Sequence, residues 1–233
     1  MLLQILTYTH HLTTMLFGIF LSAFFLGVKQ NKKNVCILLG GGAVSGLFFL
    51  ICNTVFGSLF TEAVYPIFVH LPLFLLLVFY YRFRWLPSII SIMTAYLCCQ
   101  FSNWAGIFAL SLSGLDWVYY LVRIIVTVAV FAFLSRYLCQ TTALLLAKSD
   151  RELYILGAMP FVYYVFDYST TKFSMLLYSG NKVVVEFLAF AMCISYVIFL
   201  FVYFQEYELK NRAEQYGQLT NMQLNSLHSE IEQ

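Results

Sequence analysis

Nine polar or charged side chains interrupt stretches that are otherwise apolar: His10, His11, Asn53, His70, Gln100, Asn103, Arg123, Asp167 and Glu186. Such groups are costly in hydrocarbon and normally face a cavity or a partner. Arg123 has the most chemistry to offer. Its guanidinium suits a ligand carboxylate, and suits equally a structural ion pair with Glu186, Asp167 or Asp116. His10 and His11 are adjacent and so point to different faces of a helix, whereas a chelating pair needs i, i+4 spacing. Each histidine alone, and Asn103 beside Trp104, fits a helix–helix contact as readily as a pocket wall. There is no H-E-x-x-H, no C-x-x-C and no paired aspartate within an apolar stretch. The six cysteines, Cys36, Cys52, Cys98, Cys99, Cys139 and Cys193, lie in or beside apolar segments and read as small buried hydrophobes. No catalytic residue and no metal ligand is assigned.

The elements that carry these groups follow from composition. Of 233 residues 61% are hydrophobic and only 10% charged, with a mean hydropathy of +0.81. Soluble domains carry about 25% charged residues, so a water-exposed globule is excluded. The net charge of +2 gives no reason to expect nucleic acid. Apolar runs long enough to cross a bilayer recur along the chain. They predict an all-α, polytopic transmembrane helical bundle of about seven spans, at 3–28, 35–57, 63–81, 86–111, 115–139, 153–168 and 183–204.

Orientation follows from the basic residues. Lys29, Lys32, Lys33, Arg82, Arg84, Arg136, Lys148, Arg151, Lys210 and Arg212 fall on one side of these spans, against Lys172 and Lys182 on the other. The positive-inside rule then places the N-terminus outside and the C-terminus in the cytoplasm. Tyr80, Tyr81 and Trp85 mark one interface, and Trp117, Tyr119 and Tyr120 the other. Gly40, Gly41, Gly42, Ala43, Ser45 and Gly46 give the second span a small face for close helix packing. With this orientation the embedded polar residues gather in the outer halves of their spans. At 1.5 Å per residue Arg123 lies about 12 Å below the start of span five, and Asn103 about as deep below the outer end of span four. An outward-facing polar pocket is expected, with Arg123, Asn103, Gln100, His70, Glu186, Asp167, Asn53 and His10 as candidate lining.

After Phe204 the composition turns polar and helix-forming. Leu209, Ala213, Tyr216, Thr220, Leu224, Leu227 and Ile231 are spaced 4-3-4-4-3-4, a period of about 3.67 residues per turn that predicts a hendecad coiled coil. The division expected is 1–204 as a transmembrane bundle and 205–233 as a cytoplasmic signal-transmitting coiled coil. Its acidic polar face, with Glu206, Glu208, Glu214, Glu230 and Glu232, argues against a helix lying on lipid. The seam runs to Gln233 without a capping residue, and a following segment is expected.

A multi-span region followed by a helix reading Met222-Gln-Leu-Asn-Ser-Leu-His-Ser-Glu-Ile-Glu-Gln233 resembles the sensor half of bacterial histidine kinases with a GHKL-type ATPase domain. The peptide-pheromone receptor kinases of Gram-positive bacteria are the nearest in style. In that family the helix leads to a phosphate-accepting histidine in an R-H-D-x-x-x-H-like stretch. This chain has no such stretch, and its His228 stands in Leu-His-Ser-Glu; the asparagine and glycine boxes for ATP are missing too. What the resemblance implies is a membrane sensor of a two-component system in the bacterial cytoplasmic membrane. It implies a homodimer that detects an extracellular peptide or small molecule and acts on a response regulator through a kinase module outside this chain. ATP and Mg would belong to that module, and no cofactor to this chain. A small polytopic transporter or permease component is the alternative, disfavoured because the embedded polar groups do not continue across the midplane.

Overall fold

The computed structural model describes the backbone of residues 2–57, 61, 64–172 and 182–231, and their side chains except at 65, 151, 168–172, 182–189 and 225–231. All regular structure among the described residues is helical, with no strand among them. The helices are α1 (Leu2–Phe25), α2 (Lys32–Phe56), α3 (Tyr65–Phe68), α4 (His70–Leu75), α5 (Trp85–Cys98), α6 (Gln100–Ser113), α7 (Asp116–Tyr137), α8 (Cys139–Leu146), α9 (Asp150–Lys172) and α10 (Lys182–Ile231). A π-helical turn, Leu76–Tyr80, extends α4.

Local sequence explains the boundaries. Asn31 caps α2 by accepting the Asn34 amide at 2.8 Å, satisfying one of the free donors of the first turn. α6 stops at Gly114, whose left-handed φ of 67° lets its amide close onto the Leu110 carbonyl. Asp116 in the first turn and Arg136 in the last suit the dipole of α7. Span four is divided into α5 and α6 at Cys99. Pro160 lies inside α9 without ending it.

Among the described residues four stretches are long and apolar enough to cross a membrane, which is compatible with a membrane protein: Lys32–Phe56, Trp85–Ser113, Asp116–Tyr137 and Phe190–Leu224. Pro66–Tyr80 is apolar but shorter. The expected first and sixth spans are helices, α1 and α9, but carry too much polarity to join the four. The N-terminal half of α1 holds Gln4, three threonines before Thr14 and both His10 and His11, and α9 opens with Asp150, Arg151 and Glu152.

The chain divides into two compact units, Met1–Ile194 and Ser195–Gln233. In the first, the C-terminal half of α1 is the centre: Leu21, Ala23 and Phe25 are fully buried, and the helix packs on α2, α5, α7 and α8. α9 packs on α5, and α6 on α7. The Trp85–Ser113 stretch has 67% of its apolar window buried and Asp116–Tyr137 only 11%, so α5 is interior and α7 peripheral. On α2, Gly42 lets α1 come close, since a Cβ there would meet Ile19 Cδ1 at 3.0 Å. The opposite face of α2 exposes Val44, Leu47 and Val55, an apolar surface that lipid covers at no cost and water does not. The second unit is the remainder of α10, and its first-unit portion begins at Lys182.

Candidate functional site

The polar residues of the first unit gather into two nodes. The first is built on α1, α6 and α7 around Arg123. The Arg123 stem lies across Gly106 of α6, so closely that a Cβ at Gly106 would fall 2.4 Å from Arg123 Cγ and 2.8 Å from Cδ. The guanidinium turns back one helical turn and donates to the Tyr119 hydroxyl at 2.5 Å. Its Cζ stands 5.1 Å from the Tyr119 ring centroid, within the range of a cation–π contact. His10 of α1 is within electrostatic reach of Arg123. The His10 ring is buried, 5.9 Å from Tyr120 and 5.4 Å from His11, with Nδ1 3.3 Å from the Thr14 hydroxyl.

One nitrogen of Arg123 is left over. Its Nε is buried with no hydrogen-bond partner among the described residues, and none of their carboxylates is within ion-pair distance of it. Asp116 and Asp167 therefore do not pair with it, and the Glu186 side chain lies outside the described residues. A buried donor without an acceptor costs about 1–3 kcal/mol, more when charged. The node is thus a cation with one buried N–H that has no partner among the described residues, a donor of the kind that a carboxylate or phosphate oxygen takes.

The second node joins α4, α5 and α9. His70 Nδ1 is 2.8 Å from the Tyr164 hydroxyl, and Tyr96 donates to Asp167 Oδ2 at 2.5 Å. Tyr96 and Tyr164 meet edge to face at 5.0 Å, and His70 lies 5.8 Å from Tyr96. These contacts pair each polar group with another on a different helix, which is how a packed bundle retains such groups.

Of the remaining candidates, Gln100 is buried and accepts from Asn103 Nδ2 at 3.5 Å within α6. Asn53 is half-buried near the end of α2 and joins neither node. In the second unit Leu209, Ala213, Tyr216, Thr220 and Leu224 are all exposed, whereas the side chains of Leu227 and Ile231 lie outside the described residues. Arg212 and Glu208 pair at 3.6 Å on the polar face.

The partners that complete both nodes were not apparent from composition. Tyr119 has a sequence signal, being four residues before Arg123 and hence on the same helix face. Gly106, Tyr96 and Tyr164 have none, because their roles depend on which helices meet. Two further contacts tie the start of α10 to the bundle: Trp104 of α6 stacks on Phe190 at 4.7 Å, with planes 17° apart, and the thiols of Cys98 and Cys193 meet. Among the described residues no group of three or more His, Cys, Asp or Glu side chains is placed to hold a metal ion. No known protein family, curated protein or solved structure matches this chain.

Proposed function

We propose that the chain is the membrane sensor region of a receptor, of the two-component histidine kinase kind that its layout resembles. A ligand presenting an anionic group from outside completes the Arg123 node, and α10 carries the resulting bias toward a cytoplasmic kinase module. One observation carries this reading. The helix against which the Arg123 stem rests at Gly106 also stacks Trp104, two residues away, on Phe190 of α10. A displacement of Arg123 toward a ligand alters its packing on α6, and α6 in turn contacts α10 through Trp104 and Phe190. α10 has fifty residues, more than twice the about 20 that a bilayer core requires. Its exposed seam, Leu209, Tyr216 and Leu224, is consistent with a coiled-coil homodimer in which the partner covers it. Seven spans, with the N-terminus outside, complete the proposed topology.

Sensing requires the ligand to bind two arrangements of the bundle with different affinity. Cysteine replacement tests both topology and coupling in cells. Gln233→Cys should resist an impermeant maleimide until the membrane is opened, and Leu224→Cys should cross-link between two copies of the chain. Trp104→Ala should alter which of the seam positions 209, 216 and 224 cross-link fastest. Labelling of Gln233→Cys from outside, or an unchanged cross-linking pattern in the Trp104 variant, refutes the reading.

A further inference from the structure

A cavity of about 270 Å³ lies far from both polar nodes, where the end of α1, the turn before α5 and the end of α8 converge. Its walls are of two kinds. Leu26, Phe83, Pro87 and Leu146 supply apolar surface, and Arg82 and Arg84 supply cationic side chains. The volume is near the lower end of the about 300–1,000 Å³ typical of small-molecule sites.

The two arginines are not equivalent. Arg84 is held in place: it forms an ion pair with Asp150 and donates to the Lys148 carbonyl at 3.0 Å. The Asp150 carboxylate offsets its charge, and Lys148 in turn is 3.5 Å from Glu152. Arg82 has no ion pair or hydrogen bond among the described residues, and its backbone takes a left-handed φ of 59°. The flanking residues Tyr80, Tyr81 and Trp85 are the types that concentrate at the headgroup level of a bilayer. Trp85 is exposed, as is Phe79 beside them.

We propose that this cavity is a site for the headgroup of an anionic phospholipid. The phosphodiester oxygens take the free guanidinium of Arg82 and the unused N–H groups of Arg84, while the first carbons of the acyl chains lie on Leu26, Phe83, Pro87 and Leu146. A cationic rim above apolar walls at the membrane surface matches an anionic amphiphile and not a zwitterionic one. Basic recesses between membrane helices hold such headgroups for this reason. The site does not depend on the sensor reading, because it needs only that the turn lies at the bilayer surface.

Trp85 is a built-in reporter. In the full chain with Trp104→Phe and Trp117→Phe, Trp85 is the only tryptophan left of three. Reconstitution into nanodiscs of phosphatidylcholine with a minority of phosphatidylglycerol, one lipid or the other brominated, reads which lipid touches it. Brominated phosphatidylglycerol should quench as though enriched about fivefold over its bulk share, the factor that about 1 kcal/mol for one interfacial arginine gives. Arg82→Gln should abolish the enrichment and Arg82→Lys restore most of it. Native mass spectrometry of the chain with all tryptophans intact should show the same order of retained phosphatidylglycerol, which guards against misfolding of the reporter variant. Equal quenching by the two lipids, an enrichment unchanged in Arg82→Gln, or its removal by millimolar inorganic phosphate overturns the proposal; the last outcome would make the cavity a free-phosphate site.

Discussion

Replacing Gly106 with alanine tests how α6 and α7 are fitted together at Arg123. The added methyl would lie 2.4 Å from Arg123 Cγ, 2.8 Å from Cδ and 3.1 Å from Tyr119 Cδ2. The first two are mid-stem atoms, so rotating the tip of the side chain does not relieve the clash. Arg123 must leave its rotamer or the helices must part. Overpacking of this kind costs about 1–3 kcal/mol, and displacing the guanidinium from Tyr119 adds part of the about 1.5–3 kcal/mol of a charged hydrogen bond. Alanine returns up to about 1 kcal/mol through its helix propensity. The net expectation is a loss of about 2 kcal/mol.

The same substitution made in an Arg123→Ala background meets no stem. It should then be neutral or stabilising by up to about 1 kcal/mol. The double-mutant cycle is therefore expected to show a coupling of about 2–3 kcal/mol, at the upper end of what contacting pairs give. Reversible unfolding of the purified chain in mixed micelles by titrated SDS, followed by tryptophan fluorescence, measures all four corners. Additivity within about 0.5 kcal/mol would mean that the Arg123 stem does not rest on Gly106, and the route from the arginine to α6 and Phe190 would fall with it.

Gly157→Ala should destabilise the α5–α9 contact by about 1–3 kcal/mol, because its Cβ would fall 2.6 Å from Ile90 Cγ1; adding Ile90→Ala should recover most of the loss in the same unfolding assay. Tyr96→Phe, which removes the 2.5 Å donor to Asp167, should cost about 1–3 kcal/mol, and less when Asp167→Asn is already present. Oxidation by copper phenanthroline of a variant keeping only Cys98 and Cys193 should join them within one chain, seen by mass spectrometry as the loss of two hydrogens; failure to join contradicts the meeting of α5 and α10. For Glu152, desolvation is the largest single effect and acts upward, but hydrogen bonding from Ser149 and the Lys148 ammonium together outweigh it and hold the carboxyl below its ordinary value of 4.5. A depressed folded pKa gives stability that is present above the unfolded value and is lost as pH falls through the folded one. Wild type should accordingly lose a small increment below about pH 4.5 that Glu152→Gln does not lose.

Element type was legible in the sequence far better than element contacts. Apolar runs and the helix-forming composition after Phe204 anticipate a chain with no strand among the described residues, because hydropathy and propensity act along the chain. The Asn31 cap and the Gly114 stop are equally local. What composition could not supply was the division at Cys99, where no proline or glycine announces a boundary. The expected spans 3–28 and 153–168 are helical too, as α1 and α9, but His10 and His11 in the first and Asp167 in the other lower their hydropathy relative to 35–57.

The site residues show the same limit in a sharper form. Arg123, His10, His70 and Asp167 stand out because each is expensive in an apolar surrounding, so any reader of the sequence finds them. Their partners do not stand out. Tyr96 and Tyr164 are two of 17 tyrosines in the chain, and only the meeting of α4, α5 and α9 selects them. Gly106 looks like any small residue in a membrane helix until Arg123 is laid across it. Cost is therefore a one-body property that the sequence states, whereas compensation is a two-body property that depends on the fold. Asp167 and His70 have found compensation on neighbouring helices, and the buried Nε of Arg123 has none among the described residues. That difference separates a group retained for packing from a charged group with a donor still available, and it is why the proposed ligand contact is placed at Arg123.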